Sequence, residues 1–531
     1  MDEITSQELY EGLLAHGLFA EKLPPVFTSA DFFDYCKTAS NTFDKKKWNE
    51  YISFRVMRNI NIPRLMGIPN PFKYQILCSV LRDNWNKIQK HFHKQTDNLG
   101  HRISRIHIRK ESGTKRIFAM NYKNWHVDGN PELDLLILDE GASRILVQAD
   151  ISSCFPSIYT HSIPWALAGK VKAKQNRNSK EWFNMIDKAC QAMRNGETHG
   201  LLIGPHTSNI LSEIILSVVD KNLYRKGYRF VRNIDDYDCY VDSHDKAQMF
   251  LCDLQQALCE FDLHLNHKKT KITELPIGFD QNWKHQLSDL PKIGKSKSVE
   301  YPQVNTFIDT AIKLAKESGD FAIINYSIKK LKEVKLSKNG EALAAKRFMH
   351  LAMLNPYLLH LMEEFVFYQY HVPIAEIKKF SDAIYRDATK VNDYESMCYS
   401  FYFAIQFDFD LDAAKKYDKM LRKIIKSGDC ILLTMTWIYF MIKNKGNSNT
   451  PEIIRLTNEA RNLAQTEMDR YWLFCYEALS PNDLSNEWAR LKKARISFIR
   501  KDIRAKLTNV LNNTQTVLPL IGYPNANSYQ Q

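Results

Sequence analysis

The sequence YRFVRNIDDYDCYV at residues 228–241 decides the fold, because two β-like runs flank the acidic pair Asp235–Asp236. This pattern predicts a β-hairpin with the pair at its tip. A third acid, Asp150, lies at the end of the apolar run RILVQADI (144–151), whose β-branched residues predict another strand. These three carboxylates are therefore the first candidates for a functional site.

Clustered carboxylates repel one another, and divalent cations relieve that repulsion. Mg²⁺ prefers hard oxygen ligands and is often held by one or two carboxylates together with substrate phosphates. Asp150, Asp235 and Asp236 therefore indicate two-metal phosphoryl transfer with Mg²⁺, for which Mn²⁺ could substitute. Taken alone, the Asp235–Asp236 pair is more typical of an ordinary turn, so the interpretation depends on the surrounding sequence.

Those surroundings resemble a reverse transcriptase. Three segments are similar to the palm motifs of that family in the expected order: QADISSCFPSIYTHSI (148–163), GLLIGPHTSNILSE (200–213) and RNIDDYDCY (232–240). The resemblance implies that Asp150, Asp235 and Asp236 are the catalytic metal ligands, with Ile151 as a further metal ligand. Asn233 stands where most relatives have tyrosine. Contacts to the primer end or nucleotide are expected to differ there.

The first two palm motifs supply candidate nucleotide-binding residues. Phe155 matches the aromatic ring that leaves no room for a 2′-hydroxyl and so selects deoxynucleotides, although core packing is the commoner role of a phenylalanine. Gly204 would let the backbone approach the incoming base and the template. Ser208 is expected to cap the helix that follows.

Basic residues on either side of the palm motifs would contact the triphosphate. LNHKKTKI (265–272) resembles the motif whose lysine approaches it, and Lys269 is the best match to a donor that protonates pyrophosphate. Lys268 and Lys271 are alternatives for this role. Arg116 lies in a predicted hairpin formed by residues 102–110 and 116–122, and its guanidinium suits phosphate oxygens. Weaker candidates in the same hairpin are Arg109, Lys110 and Lys115.

Length and charge indicate two domains. The chain has 531 residues, whereas a single core stops growing near roughly 250–300 residues. Strand-like patterns end near residue 290, and helical patterns follow, so we expect domains at 1–290 and 291–531. The net charge of +13 divides into about +6 before residue 301 and +7 after it, which is compatible with a polyanionic partner.

The remaining composition argues against secretion and membrane insertion. The longest apolar run, ILLTMTWIYFMI (431–442), has 12 residues, and a membrane-spanning helix needs about 20. The N-terminus shows no signal-peptide pattern. The ten cysteines form no C-x-x-C pair, which argues against a zinc ribbon or disulfide framework. We expect a cytoplasmic protein with no membrane partner.

The segment PRLMGIPNPFKYQILCSVLRDNW (63–85) and the form GLLIGPHTS (200–208) are similar to bacterial abortive-infection and defence-associated reverse transcriptases. That resemblance implies an α+β fold in which a fingers–palm domain without an ordinary thumb precedes an all-α HEAT-like helical array. It further implies antiphage defence by abortive infection. The expected partners are deoxynucleoside triphosphates and a single-stranded DNA product, in a homo-oligomer such as a trimer or hexamer.

Several alternatives stay open. DNA synthesis would copy an RNA template or non-coding RNA, or proceed untemplated from a protein tyrosine, for which Tyr523 and Tyr529 in the C-terminal tail are weak candidates. The helical array would guide the growing strand along a basic surface, or serve as an oligomerisation scaffold or sensor of a phage product. The alternative function is a catalytically idle, nucleic-acid-binding oligomeric scaffold, which the Asn233 departure favours.

Overall fold

The computed structural model describes residues 4–507 except for ten gaps. These gaps are 39–42, 45–46, 61, 98, 109–117, 121–134, 139–140, 277–282, 284–285 and 288–297.

The part of the chain before residue 290 combines short strands with helices. Its strands are β1 (Tyr51–Met57), β2 (Pro63–Pro69), β3 (Ile106–Ile108), β4 (Phe118–Met120), β5 (Ile137–Leu138), β6 (Gly141–Ala142), β7 (Ile145–Asp150), β8 (Arg229–Asn233), β9 (Asp236–Val241) and β10 (Lys271–Glu274). Its helices are α1 (Ser6–His16), α2 (Ala30–Thr38), α3 (Pro71–Asp83), α4 (Trp85–Thr96), α5 (Cys154–Ser157), α6 (Ser162–Ala168), α7 (Lys170–Gln175), α8 (Trp182–Ala192), α9 (Thr207–Arg225) and α10 (His244–Cys259).

Four of the strands form the sheet that carries the acidic residues. Its order is β10-β7-β9-β8, and all neighbouring strands are antiparallel. The long helix α9 and the helix α10 pack together. Most apolar side chains of α9, among them Leu211, Ile214 and Val219, are fully buried. They belong to the same apolar core as Val147 and Cys239 of the sheet, and apolar area removed from water stabilises by roughly 25 cal/mol per Å².

The rest of the described chain is helical. Its α-helices are α11 (Tyr301–Ser318), α12 (Ala322–Lys332), α13 (Lys338–Leu354), α14 (Leu359–Met362), α15 (Ile374–Val391), α16 (Tyr394–Gln406), α17 (Tyr417–Ser427), α18 (Cys430–Lys443), α19 (Pro451–Thr466), α20 (Met468–Ala478), α21 (Asn486–Lys493) and α22 (Lys501–Leu507). Pro356–Leu358 and Asp412–Lys416 are 3₁₀-helical, and Glu363–Phe367 is a π-helical turn.

The helical part packs directly on the N-terminal part through aromatic rings. Trp472 and Trp488 stack with centroids 5.7 Å apart, and Phe72 lies edge-on to Trp488 at 4.6 Å. Phe498 contacts Trp472 at 4.9 Å and Phe32 at 5.6 Å. Burying such rings contributes most strongly to core energetics, so the two parts share one continuous apolar core.

The β1–β2 hairpin is also attached to the helical part by hydrogen bonds. The Met57 amide donates to the Glu395 carboxylate at 2.6 Å, and the Asn59 amide group donates to Asp320 at 2.6 Å. The apolar spacing of residues 1–60 predicts helix, broken at Pro63 and at the segment 67–72, so the sequence pattern predicts neither β1 nor β2. Pro63 is instead the first strand residue, a position where its missing amide is tolerated.

Most other predicted elements are confirmed. The β3–β4 hairpin, β7, the hairpin of β8 and β9, and helix α9 lie where expected. The apolar pattern of residues 73–91 predicts one helix, but the structure has two helices, α3 and α4, that meet at Asn84. The helical pattern of residues 484–510 likewise contains two helices, α21 and α22, and residues 508–510 lie outside the described ranges. All ten cysteines are free thiols. Within the described ranges, no helix is both long enough and apolar enough to cross a membrane.

Candidate active site

The candidate site lies where the ends of β7 and β9 meet. Asp150 is the last residue of β7 and faces Asp236, the first residue of β9, in the antiparallel register. Asp235 occupies the turn immediately before β9, and its carbonyl accepts a hydrogen bond from the Ile151 amide at 3.2 Å. Asp150 is only 6% exposed. The four residues predicted as metal ligands therefore lie together where β7 ends and β9 begins.

Arg232 supports the turn that contains Asp235. Ile234 has φ +57°, a left-handed conformation that is unfavourable for a β-branched residue. The Arg232 guanidinium donates to the Ile234 carbonyl at 2.7 Å and forms ion pairs with Asp220 and Glu213 of α9 at 2.7 and 2.9 Å. Because Arg232 is fully buried, these contacts tie the turn to the helix.

The charges of the site interact strongly. Burial and the neighbouring Asp150 carboxylate raise the pKa of Asp235 to about 6, while Lys269 and Arg64 act in the opposite direction. A carboxyl that is buried beside another carboxylate is destabilised in its ionised form. The pair therefore favours a positive partner in front of it.

Lys269 is that partner in this structure. Its ammonium group contacts the Asp150 carboxylate at 2.5 Å, and Asn266 donates to the other Asp150 oxygen at 3.3 Å. Burial alone would lower the pKa of Lys269, but its hydrogen bond to Asp150 and the charges of all three aspartates outweigh burial and raise it. Lys269 thus stays protonated while its side chain is 65% exposed, as a proton donor to a leaving group requires.

The glycine-rich turn, residues 200–205, lies beside Phe155. The Leu201 amide donates to the Phe155 carbonyl at 2.7 Å, and Phe155 is half-buried against the core. Gly204 has φ +127°, where a side chain would be strained. A Cβ at Gly204 would lie 3.2 Å from the Gly67 carbonyl oxygen, so this glycine admits close packing of β2.

Ser208 does not cap α9 as the sequence suggested. The helix begins at Thr207, and the Ser208 hydroxyl donates to the Leu202 carbonyl at 2.6 Å. Ser208 therefore closes the glycine-rich turn instead.

Arg64 is a site residue that the motif analysis missed. It pairs with Val56 across the β1–β2 hairpin, and its guanidinium interacts electrostatically with Asp235 and Asp150. Only its cationic charge beside Pro63 signalled it in the sequence. The predicted residues Arg109, Lys110, Lys115 and Arg116, and the tyrosines Tyr523 and Tyr529, lie outside the described residues.

The donors present suit a hard divalent cation chemically. Asp150, Asp235 and Asp236 offer carboxylate oxygens, and burial together with the neighbouring Asp150 carboxylate raises the pKa of Asp235. Among the described residues, however, no three His, Cys, Asp or Glu side chains are arranged to hold a metal ion. In this arrangement the Asp150 carboxylate is paired with Lys269.

Comparison with protein families assigns the part of the chain that contains the candidate site to a known family. Residues 69–305 match the family described as reverse transcriptase (RNA-dependent DNA polymerase). The chain contains a reverse transcriptase domain. This finding confirms the predicted enzyme class, a nucleotidyltransferase of the reverse-transcriptase type, and the predicted fold of such a domain followed by a helical region. The reverse transcriptase domain includes all three aspartates, Phe155, Gly204 and Lys269.

Solved structures similar to this chain include telomerases from Candida. Apo telomerase from Candida tropicalis is 12% identical, over 84% of this chain and 76% of that chain, with a TM-score of 0.31. A C-terminally truncated form is 14% identical over 46% of this chain and 54% of that chain, with a TM-score of 0.32. Candida albicans telomerase with a telomeric RNA fragment is 10% identical over 72% of this chain and 62% of that chain, with a TM-score of 0.30. No curated protein matches the sequence.

Proposed function

We propose that this protein is an active Mg²⁺-dependent DNA polymerase of the reverse-transcriptase type. The observation that carries the proposal is the register of Asp150 against Asp236, with Asp235 in the adjoining turn and Lys269 on the Asp150 carboxylate. Carboxylates from two neighbouring strand ends and a protonated lysine are the groups that nucleotidyl transfer needs.

Asp150, Asp235 and Asp236 would hold the cations, and the Ile151 carbonyl is a candidate for a further oxygen ligand. When bound, Mg²⁺ would supply charge stabilisation at the attacking and leaving oxygens. Release of Asp150 from Lys269 would free the carboxylate for this purpose and leave the ammonium group beside the pyrophosphate.

The remaining side chains define the substrate. Phe155 would contact the sugar and exclude a 2′-hydroxyl, so deoxynucleoside triphosphates are the proposed substrates. Arg64 adds a positive charge from the β1–β2 hairpin, and guanidinium groups bind phosphate oxygens in a fork geometry. Gly204 keeps the backbone of its turn close to β2.

The biochemical experiment supplies deoxynucleoside triphosphates and Mg²⁺ to the purified full chain, with EDTA in a parallel reaction. We expect incorporation only with the metal. Sequencing the product distinguishes RNA-templated from untemplated synthesis, and a mobility change after protease treatment reveals a protein primer. Absence of incorporation with Mg²⁺ or Mn²⁺, on any template offered, would contradict the proposal.

We further propose that the polymerase acts in bacterial antiphage defence by abortive infection, as a cytoplasmic homo-oligomer. Support comes from the resemblance of residues 63–85 and 200–208 to defence-associated reverse transcriptases. Expression in a bacterium should reduce phage plating efficiency, and Asp235→Asn with Asp236→Asn should restore it. Equal protection by both forms would separate defence from polymerisation.

The alternative, an idle nucleic-acid-binding scaffold, is favoured by one observation: Asn233 stands where most relatives have tyrosine. Nucleic-acid binding without incorporation, unchanged by Asp235→Asn, would support the scaffold.

A further inference from the structure

A surface next to the glycine-rich turn combines aromatic rings with exposed positive charge. Its aromatic cluster consists of Tyr159, His161, Trp165 and His199. Tyr159 lies 4.8 Å from His161, 5.7 Å from Trp165 and 5.2 Å from His199, measured between ring centroids. All four residues are at least partly exposed.

Main-chain contacts hold the aromatic cluster beside Phe155 and the glycine-rich turn. Tyr159 and His199 form a β-bridge, and the Gly200 amide donates to the Ile158 carbonyl at 2.8 Å. In the sequence, Tyr159 lies four residues after Phe155, and His199 directly precedes the glycine-rich turn. The His161 ring contacts the buried Asp187 carboxylate at 2.5 Å, which fixes the ring although its side chain is 41% exposed.

The aromatic cluster continues into a cationic segment, residues 170–180. Its sequence KVKAKQNRNSK contains five basic residues and no acidic one. Within the described residues, no carboxylate forms an ion pair with these basic side chains. All five are exposed: Lys170, Lys172, Lys174, Arg177 and Lys180.

Trp165 joins the two parts of this surface. The ammonium groups of Lys170 and Lys174 lie 4.4 and 5.7 Å from the centre of the Trp165 ring, within the range of cation–π attraction. Lys170 also donates to the Glu260 carbonyl at 3.1 Å. That contact places the start of the cationic segment beside the chain that leads to Lys269.

Aromatic rings beside a row of cations are typical of surfaces that bind single-stranded nucleic acid, because bases stack on rings while cations follow the phosphates. From the aromatic cluster and the cationic segment, we propose that this surface binds the single-stranded DNA strand as it is extended at the candidate active site. The proposal rests on the proposed polymerase function, and it names the path of the strand outside the carboxylate site.

The alternative for five exposed cations is a solvated face with no ligand. The position of the surface argues against this alternative, because the cationic segment continues from the aromatic cluster, which begins beside Phe155 and the glycine-rich turn. A protein partner with acidic residues would use the cations but would not require the exposed rings.

The first test measures binding of a fluorescent oligodeoxythymidylate to the full chain by anisotropy at several salt concentrations. Lys172→Gln, Lys174→Gln and Arg177→Gln, combined, should weaken binding and reduce the slope of log K against log salt by about 2, since each phosphate contact in a single strand contributes about 0.7. The matched control combines Lys416→Gln, Lys419→Gln and Lys423→Gln, which are exposed lysines of the helical part. An unchanged slope, or an equal decrease in both triple variants, would overturn the proposal.

The second test addresses stacking. Tyr159→Leu should weaken oligonucleotide binding by about fivefold or more, whereas Tyr159→Phe keeps the ring and should bind like the original chain. Equal affinity of both variants would show that the ring does not stack on a base. Circular dichroism melting of each variant shows whether any loss comes from unfolding.

Product length separates this proposal from the proposed function. The triple variant of the cationic segment should release shorter products than the original chain. If the original chain incorporates nothing while the triple variant still loses oligonucleotide binding, the polymerase assignment fails and the surface stands. If incorporation proceeds and neither binding nor product length changes, the surface proposal fails alone.

Discussion

The Arg232 guanidinium donates to the main-chain carbonyl of Ile234 at 2.7 Å, and this contact supports the turn that carries Asp235. Ile234 adopts φ +57°, and such a strained conformation persists when surrounding contacts over-determine it. The same guanidinium is paired with Asp220 and Glu213 of α9. The position of the candidate catalytic turn thus depends on one buried ion-pair cluster.

Removal of Arg232 should therefore be severe. Arg232→Met leaves two buried carboxylates without their cation, and breaking a buried pair costs about 3–5 kcal/mol. We expect the free energy of unfolding, measured by urea denaturation, to decrease by that amount. Arg225→Met, an exposed position on α9, is the control and should stay within about 0.5 kcal/mol. Similar values for both variants would show that the cluster does not hold the turn.

Substitution of Lys269 should slow incorporation without preventing folding. Lys269→Gln removes the proton donor beside Asp150, and general acids contribute about 10²–10⁴-fold to rate. Pre-steady-state incorporation of one deoxynucleotide measures the effect. Lys268→Gln is the matched control on the neighbouring residue, and we expect it to be near the original rate. A larger loss in Lys268→Gln would transfer the role to that lysine.

Phe155 should determine sugar selectivity. Phe155→Ala opens space at the sugar, so the preference for deoxynucleotides over ribonucleotides, taken as the ratio of kcat/KM values, should decrease by at least about tenfold. Phe155→Tyr keeps the ring and should retain the preference. If Phe155→Ala loses stability but keeps its selectivity, core packing is the role of this ring.

Glu395 should make stability depend on pH. Burial raises its pKa to about 8, with Asp393 adding to the increase and the Met57 amide opposing it. The folded chain therefore holds a proton that the unfolded chain releases above its ordinary pKa, so stability decreases as pH rises from about 4.5 to 8. Glu395→Gln should reduce this dependence on pH. It should raise the free energy of unfolding near pH 8 by on the order of a few kcal/mol.

Thermal melting of the Glu395→Gln variant across pH 5–9 checks this prediction, with Glu341→Gln on α13 as the control. Parallel curves for the variant and the original chain would contradict it.

Sequence patterns predicted the central features of the site for a physical reason. Asp150 ends one short β-like run and Asp236 begins another, so the sequence near each residue is enough to place it at a strand end. The resemblance suggested Lys269 as a contact to the triphosphate, which stays a prediction, and the structure places its ammonium group on the Asp150 carboxylate. The family match confirms the domain type, whereas the roles of individual residues and the domain limits at 1–290 and 291–531 stay predictions.

Other features depend on contacts between distant parts of the chain and left no local pattern. Nothing near Met57 indicates that its amide bonds Glu395, more than 300 residues later. Arg232 looked like one more basic residue before an acidic turn, because its partners Asp220 and Glu213 lie on a separate helix. The strands β1 and β2 are not predicted, because the apolar spacing before Pro63 favours helix and Pro63 signals a break unless the partner strand is known.

The most direct test of the central claim is deoxynucleotide incorporation by a variant that keeps the fold and loses the acidic pair. Asp235→Asn with Asp236→Asn removes charge stabilisation worth several kcal/mol, which corresponds to a rate loss of at least about a thousandfold. Asp242→Asn, at the other end of β9, is the matched control. We predict incorporation with Mg²⁺ by the original chain and the control, and none above background by the double variant. Undiminished incorporation by the double variant would contradict the assignment of the catalytic site.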